Sequence, residues 1–312
     1  MNNHTKVTPE VSDYQSFIAS KLQLHIPVGF TPSDLSGYGL FDFQAAIVEW
    51  AVKRGRAAIF ADTGLGKTSM MLAWADQVYQ HTQKPVLILA PLCVAQQTVR
   101  ESQRMNIPDV RYARSRALVP GARIVVVNYE MLEHFDASEF GGVVLDESSI
   151  LKSMNGKTKQ AIIESFAGTD YRLSCTATPS PNDFMELGNQ AEFLGVMSST
   201  EMLAQFFIHD GGDTSKWRLK GHGKTEFWKW MATWAVCIRN PADLGFDGSR
   251  YILPPLQTYQ HTVDALFVPE GQLFASVAQT LNDRRAAKRV SIDDRVAQAA
   301  LLVNGNSEKW IV

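Results

Sequence analysis

The chain has 312 residues, 45% of them apolar, 20% charged and 10% aromatic, enough for one large or two ordinary domains with true cores. Its 30 Lys and Arg offset 32 Asp and Glu to a net charge of -2, which excludes a disordered single-charge tail and leaves any nucleic-acid binding to local patches. Cys93, Cys175 and Cys237 are far apart with no Cys-x-x-Cys pair, so neither a disulfide framework nor a zinc site is expected.

Residues 1–35 read as an N-terminal extension with a short helix from Asp13 to Leu22. They lack the apolar core of a secretion signal, and no run is long enough to span a membrane. The expectation is a soluble protein of a reducing cytoplasm with no membrane partner. From Tyr38 the texture changes. Helices are predicted over Phe41–Val52, Lys67–Tyr79, Val94–Met105 and Lys157–Phe166, with another starting at Asn182 or Asp183. Strands are predicted at Ala57–Ala61, Pro85–Ala90, Arg123–Asn128, Val143–Asp146 and Tyr171–Ala177. These strands are continuous Val/Ile/Leu/Ala runs, as suits strands buried on both faces. Alternation of strand and helix implies a parallel α/β sheet with helices on both sides. After Gly195 the pattern breaks. The next stretch holds Trp217, Trp228, Trp230 and Trp234 and reads as a small helical subdomain or insertion. Pro254-Pro255 marks a boundary, residues 268–302 read as helical and charged, and Lys309-Trp310-Ile311-Val312 reads as the start of a further strand.

The sharpest signal is Ala61-Asp62-Thr63-Gly64-Leu65-Gly66-Lys67-Thr68, set between a buried strand and a helix. Helix-start N–H groups suit phosphates there. Gly64 and Gly66 let the backbone turn and approach closely, Lys67 would reach the β- and γ-phosphates, and Thr68 would offer its hydroxyl to Mg²⁺. A phosphate loop needs an acid for the metal and a base for the attacking water. Asp146 and Glu147, at the end of Val143-Val144-Leu145, supply both: Asp146 for Mg²⁺, Glu147 for the water. A strand that simply ends in solvated acids is the plainer reading of the pair.

The ordered set Gln44, ADTGLGKT (61–68), APLCVAQQ (90–97), VVNYEML (126–132), LDESS (145–149) and TATPSPND (176–183) resembles superfamily-two helicases. It looks most like their Swi/Snf-type branch and phage-encoded relatives, over residues 38–195. The resemblance implies a P-loop, RecA-like lobe at 36–195, binding ATP and Mg²⁺ through Thr63, Gly64, Leu65, Gly66, Lys67 and Thr68. It implies that Gln44 reads adenine, with Phe41 or Phe43 stacking on the base. Pro91, Asn128 and Tyr129 match segments that touch the nucleic-acid backbone. Thr176 and Thr178 match the segment coupling hydrolysis to strand movement, and their hydroxyls are expected to bond the acidic segment. Residues 196–255 are then a Trp-rich insertion. Residues 256–312 are a helical linker and the truncated start of a second RecA-like lobe, which in the family brings arginines across the cleft. Two departures stand out: Ala61 replaces the usual leading glycine, and Ser148-Ser149 replaces the usual end of the acidic motif.

Lys216, Trp217, Arg218, Lys220 and Lys224 interleave cations with an aromatic face, a pattern that serves phosphates and bases. A charged hairpin whose tryptophans pack on the lobe is the other reading of the same residues. The function expected is a nucleic-acid-dependent ATPase, the motor lobe of a helicase or double-strand DNA translocase, in the cytoplasm of the bacterial host if phage-encoded. An ATP-binding switch or clamp is the alternative. A small-molecule P-loop kinase is disfavoured, because it has no use for the TATP segment.

Overall fold

The computed structural model describes residues 27–115, 119–152, 156–210, 213–263, 268, 274 and 280–305. The helix expected over Asp13–Leu22 and the strand expected at Lys309–Val312 lie outside them. Nine strands are described: β1 Arg56–Ala61, β2 Val86–Ala90, β3 Val110–Tyr112, β4 Ile124–Asn128, β5 Gly142–Asp146, β6 Tyr171–Thr176, β7 Phe207–Asp210, β8 Asp213–Leu219 and β9 Ala235–Ile238. Seven form one sheet in the order β3-β4-β2-β5-β6-β1-β9, and every ladder in it is parallel. Strands β2, β4 and β5 are buried along their whole length, which is why their sequences carry no polar alternation.

Strands β1, β2, β4 and β5 each feed two cores. In β1, Ala58 and Phe60 enter one core, and Ala57, Ile59 and Ala61 enter the other. The second core is covered by helices α1 (Asp42–Arg54), α2 (Lys67–Thr82) and α3 (Leu92–Arg104), with Trp74 of α2 wholly buried. The first is covered by α4 (Lys157–Ser165), α5 (Leu187–Leu194), α6 (Ser199–Phe206) and α7 (Lys224–Ala232). The segment entering α1 is pinned to α2: Tyr38 donates its hydroxyl to Asp76 at 2.7 Å, and Arg123 pairs with the same carboxylate at 3.3 Å. Among the described residues no helix is long and apolar enough to cross a membrane.

Residues 196–255, expected as a smaller helical Trp-rich piece, hold more than helix. They contain α6, the antiparallel hairpin of β7 and β8, α7, and β9, which pairs parallel with β1 as the seventh strand of the main sheet. Trp230 and Trp234 are buried in the first core, and Trp234 meets Phe60 edge-on at 6.1 Å. Strands β3 and β9 are the two of the main sheet that the sequence pattern does not announce. The described residues through Ile252 form one compact unit. Those from Leu253 form another, with helices α8 (Leu281–Val290) and α9 (Ile292–Asn304).

Trp234 is fully buried, so Trp234→Ala removes a large ring from the lobe's own core. The expected loss is about 3–5 kcal/mol of stability in urea denaturation. A loss below about 1 kcal/mol would mean that β9 and its tryptophan are not integral to the sheet.

Candidate active site

Strand β1 ends at Ala61 and helix α2 starts at Lys67, so Asp62–Gly66 form the loop between them. Gly64 and Gly66 both sit in the left-handed region, at φ 85° and 78°, which residues with a Cβ rarely tolerate. At Gly66 a Cβ would also run into the amide nitrogen of Gln44. The loop is internally braced. Asp62 accepts from the Thr63 amide at 2.7 Å, its carbonyl accepts from Leu65 N at 3.3 Å, and the Leu65 side chain is buried. The first amides of α2 have no acceptor within their own helix. The Lys67 ammonium lies over the loop, donating to the Ala61 carbonyl at 3.0 Å and the Asp62 carbonyl at 3.4 Å.

Strand β5 lies next to β6, which lies next to β1, so the acid pair ends at the same edge as the loop. Asp146 is buried. That burial, with the charge of Glu147 beside it, pushes its carboxyl up to about 6, while Lys67 pulls it down. Glu147 sits at φ 53°, a left-handed conformation costing a non-glycine residue about 1–3 kcal/mol and found mostly where function demands it. The Thr176 hydroxyl donates to the Glu147 carboxylate at 3.2 Å, and the Thr178 amide donates to the Thr176 hydroxyl oxygen at 3.1 Å. The bond expected between the TATP segment and the acids is therefore made by Thr176. Thr178 enters through its main chain.

Gln44 is buried and engaged at both ends of its amide. Its oxygen accepts from Phe41 N at 3.0 Å, and its nitrogen donates to the Leu65 carbonyl at 3.0 Å. One lone pair and one N–H remain, the complement of an adenine edge. Of the two candidate stacking rings, Phe43 is buried against Tyr251, whereas Phe41 is 51% exposed.

The residues expected to touch a nucleic-acid backbone fare differently. Pro91 caps α3, half-buried, at the end of β2. Tyr129 is a correction. Its ring is buried in the core, and its hydroxyl donates to the Asp146 carbonyl at 2.7 Å, with burial holding the phenol well above its usual range. It buttresses the acid pair and offers nothing to a strand. The only sequence signal for this role is an aromatic residue just after a buried strand. Asn128 is also buried, donating to Glu130 at 2.8 Å. The Lys220 ammonium donates to the Ala204 and Gln205 carbonyls at 2.9 and 2.8 Å, capping the end of α6. The Trp217 ring lies against His209, tilted by 38° with centroids 3.7 Å apart, Arg218 and Lys224 are exposed, and the Lys216 side chain lies outside the described residues. The hairpin packs against the first core.

A parallel sheet with a phosphate loop after β1 and an acid pair closing β5 defines a RecA-like lobe. The SNF2-related domain family matches residues 43–208, more than half of the chain, and the chain belongs to that family. It is 32% identical over 175 residues to protein p41 of Acyrthosiphon pisum secondary endosymbiont phage 1, covering 49% of this chain and 38% of that protein. It is 28% identical over 197 residues to the ISWI chromatin-remodeling complex ATPase CHR17 of Arabidopsis thaliana, covering 55% of this chain and 18% of that one. The Sulfolobus solfataricus SWI2/SNF2 ATPase core in complex with dsDNA superposes with a TM-score of 0.55 at 19% identity, over 67% of this chain and 46% of that chain, a likeness of fold. The chain spans less than half the length of each of these relatives.

The raised carboxyl of Asp146 has a consequence for stability. The folded state holds its proton more tightly than the unfolded chain does. The penalty for ionising it therefore grows as pH rises from about 4 to about 6 and persists above that. Asp146→Asn, which is neutral, should stabilise the protein at about pH 8 by about 1–3 kcal/mol. That gain should shrink as pH falls through about 6 toward 4, as followed by urea denaturation at each pH. A gain independent of pH would contradict this.

Proposed function

We propose that the chain is the first, nucleotide-binding lobe of a DNA-dependent ATPase that translocates on or remodels duplex DNA. The observation carrying this reading is the meeting of Lys67, Asp146, Glu147 and Thr176 at one sheet edge in an SNF2-family lobe. The residues fit Mg-ATP. The loop gives helix-start amides and an ammonium for phosphate. Burial disfavours the charge of Asp146, a penalty that a divalent cation would relieve. Thr68 and Asp146 would hold Mg²⁺, with phosphate oxygens and water completing its shell. The bound ion would neutralise charge on the β- and γ-phosphates.

Lys67 leaves the Ala61 carbonyl for the γ-phosphate. Glu147 accepts a proton from the attacking water, and Thr176 holds its carboxylate in line. When Glu147 changes charge, the bond from Thr176 changes strength, and the following 176–183 segment is the first to feel it. Phe41 and Gln44 take the base. Charge growing on the γ-phosphoryl calls for an arginine from a second lobe, worth about 10³–10⁵ in rate. Duplex DNA is the track proposed, because a fold neighbour was solved on it.

The test is ATP hydrolysis by the protein carrying both lobes, with and without duplex DNA. DNA should raise the rate. Glu147→Gln should bind ATP nearly normally yet lose about 10²-fold or more in turnover. Lys67→Ala should weaken Mg-ATP binding in calorimetry, and unchanged affinity would sink the phosphate-loop assignment. A rate indifferent to both DNA and RNA would favour an ATP-binding switch or clamp.

A further inference from the structure

Helix α5 follows the 176–183 segment and sends two buried amides to the turn that carries Glu147. Asn189, fully buried, donates to the Leu151 carbonyl at 2.7 Å, and its oxygen accepts from Lys159 at 2.9 Å and from Ser199 at 3.2 Å. Gln190, 1% exposed, donates to the Ser148 carbonyl at 2.9 Å, and its oxygen accepts a short bond from the Ser174 hydroxyl. Ser148 follows Glu147 directly. Ser174 lies two residues before Thr176 on β6, so both point to the same face of the sheet, and Thr176 is the residue that bonds the Glu147 carboxylate.

Two further observations give Gln190 its weight. Glu147 is in the left-handed region, a state that persists only where the surroundings over-determine it. The Ser148 hydroxyl, fully buried, has no partner among the described residues. The turn is thus held there by its main chain, and Gln190 is what holds the first carbonyl after Glu147. We propose that Gln190 is a positioning residue for hydrolysis. Its single amide ties the backbone just after Glu147 to the strand bearing Thr176, and so keeps the Glu147 carboxylate where Thr176 meets it and where water is activated. This rests on the assignment of Glu147 as the base.

Gln190→Met keeps the length of the side chain and removes both bonds. Ser174→Ala removes only the bond to its oxygen. In the protein carrying both lobes, Gln190→Met should lower kcat about tenfold or more, since small misplacements at a reacting centre cost up to about 10²-fold. KM for ATP should move less than about threefold, because the phosphate loop lies on another strand. Ser174→Ala should fold normally and lose less. In a Glu147→Gln background, Gln190→Met should cost nothing more, since residues acting as one unit are not additive. Hydrogen exchange of the amides over 148–152 should quicken in Gln190→Met while those of β1 and β2 stay protected. Three results would overturn the proposal: wild-type kcat in folded Gln190→Met and Ser174→Ala, an equal loss in both backgrounds, or unchanged exchange over 148–152. If Glu147→Gln alone turned over like wild type, the assignment of the base would fail instead. The exchange result would still decide the clamp, because it needs no turnover.

Discussion

Every ladder of the main sheet is parallel, and this forces the carboxyl ends of its strands to one edge. A loop after residue 61, an acid pair at 146–147 and a threonine at 176 thereby become neighbours. Parallel pairing also requires crossover helices, and the helix after β1 begins where the phosphate loop needs it. The chemistry of the edge is thus inherited from the pairing. The turns then add detail: left-handed glycines at 64 and 66, and a left-handed glutamate at 147.

The least comfortable part of the molecule is the turn at the end of β5. It contains a buried carboxyl with a raised proton affinity, a left-handed non-glycine residue and a fully buried serine hydroxyl without a partner among the described residues. Each works against folding by about 1–3 kcal/mol. The turn is held by converging bonds from Tyr129, Thr176, Asn189 and Gln190, which arrive from three other elements. A rigid frame around an unfavourable turn is the arrangement expected of a preorganised site.

Much of this was legible in the chain. The runs VLILA, IVVVN and GVVLD announce buried parallel strands, and the TGLGKT and LDES motifs locate the edge. What was not legible depends on packing. Strand β3 has three residues, too few for a period. Strand β9, AVCI, hides among tryptophans and is a strand because β1 offers it an edge. Tyr129 was expected on nucleic acid because pattern reveals residue type but not direction, and its ring turns into the core. Gln190 carries no local signal, since an amide in a short helix is ordinary until its partners on two other segments are seen.

The amide of Gln44 reaches the carbonyl of Leu65, inside the phosphate loop, from a helix that starts beside the exposed ring of Phe41. On the proposed assignment of Gln44 to the base, base and phosphates would be sensed through one shared side chain. A base that draws on this amide loads or relieves the loop in the same movement. Their contributions to affinity cannot be summed independently. A bare triphosphate would meet a loop whose spacing is set with no base in place. The same triphosphate carrying the wrong base would meet one that is pulled out of register, so selectivity for the base would be read out as a change in the grip on phosphate.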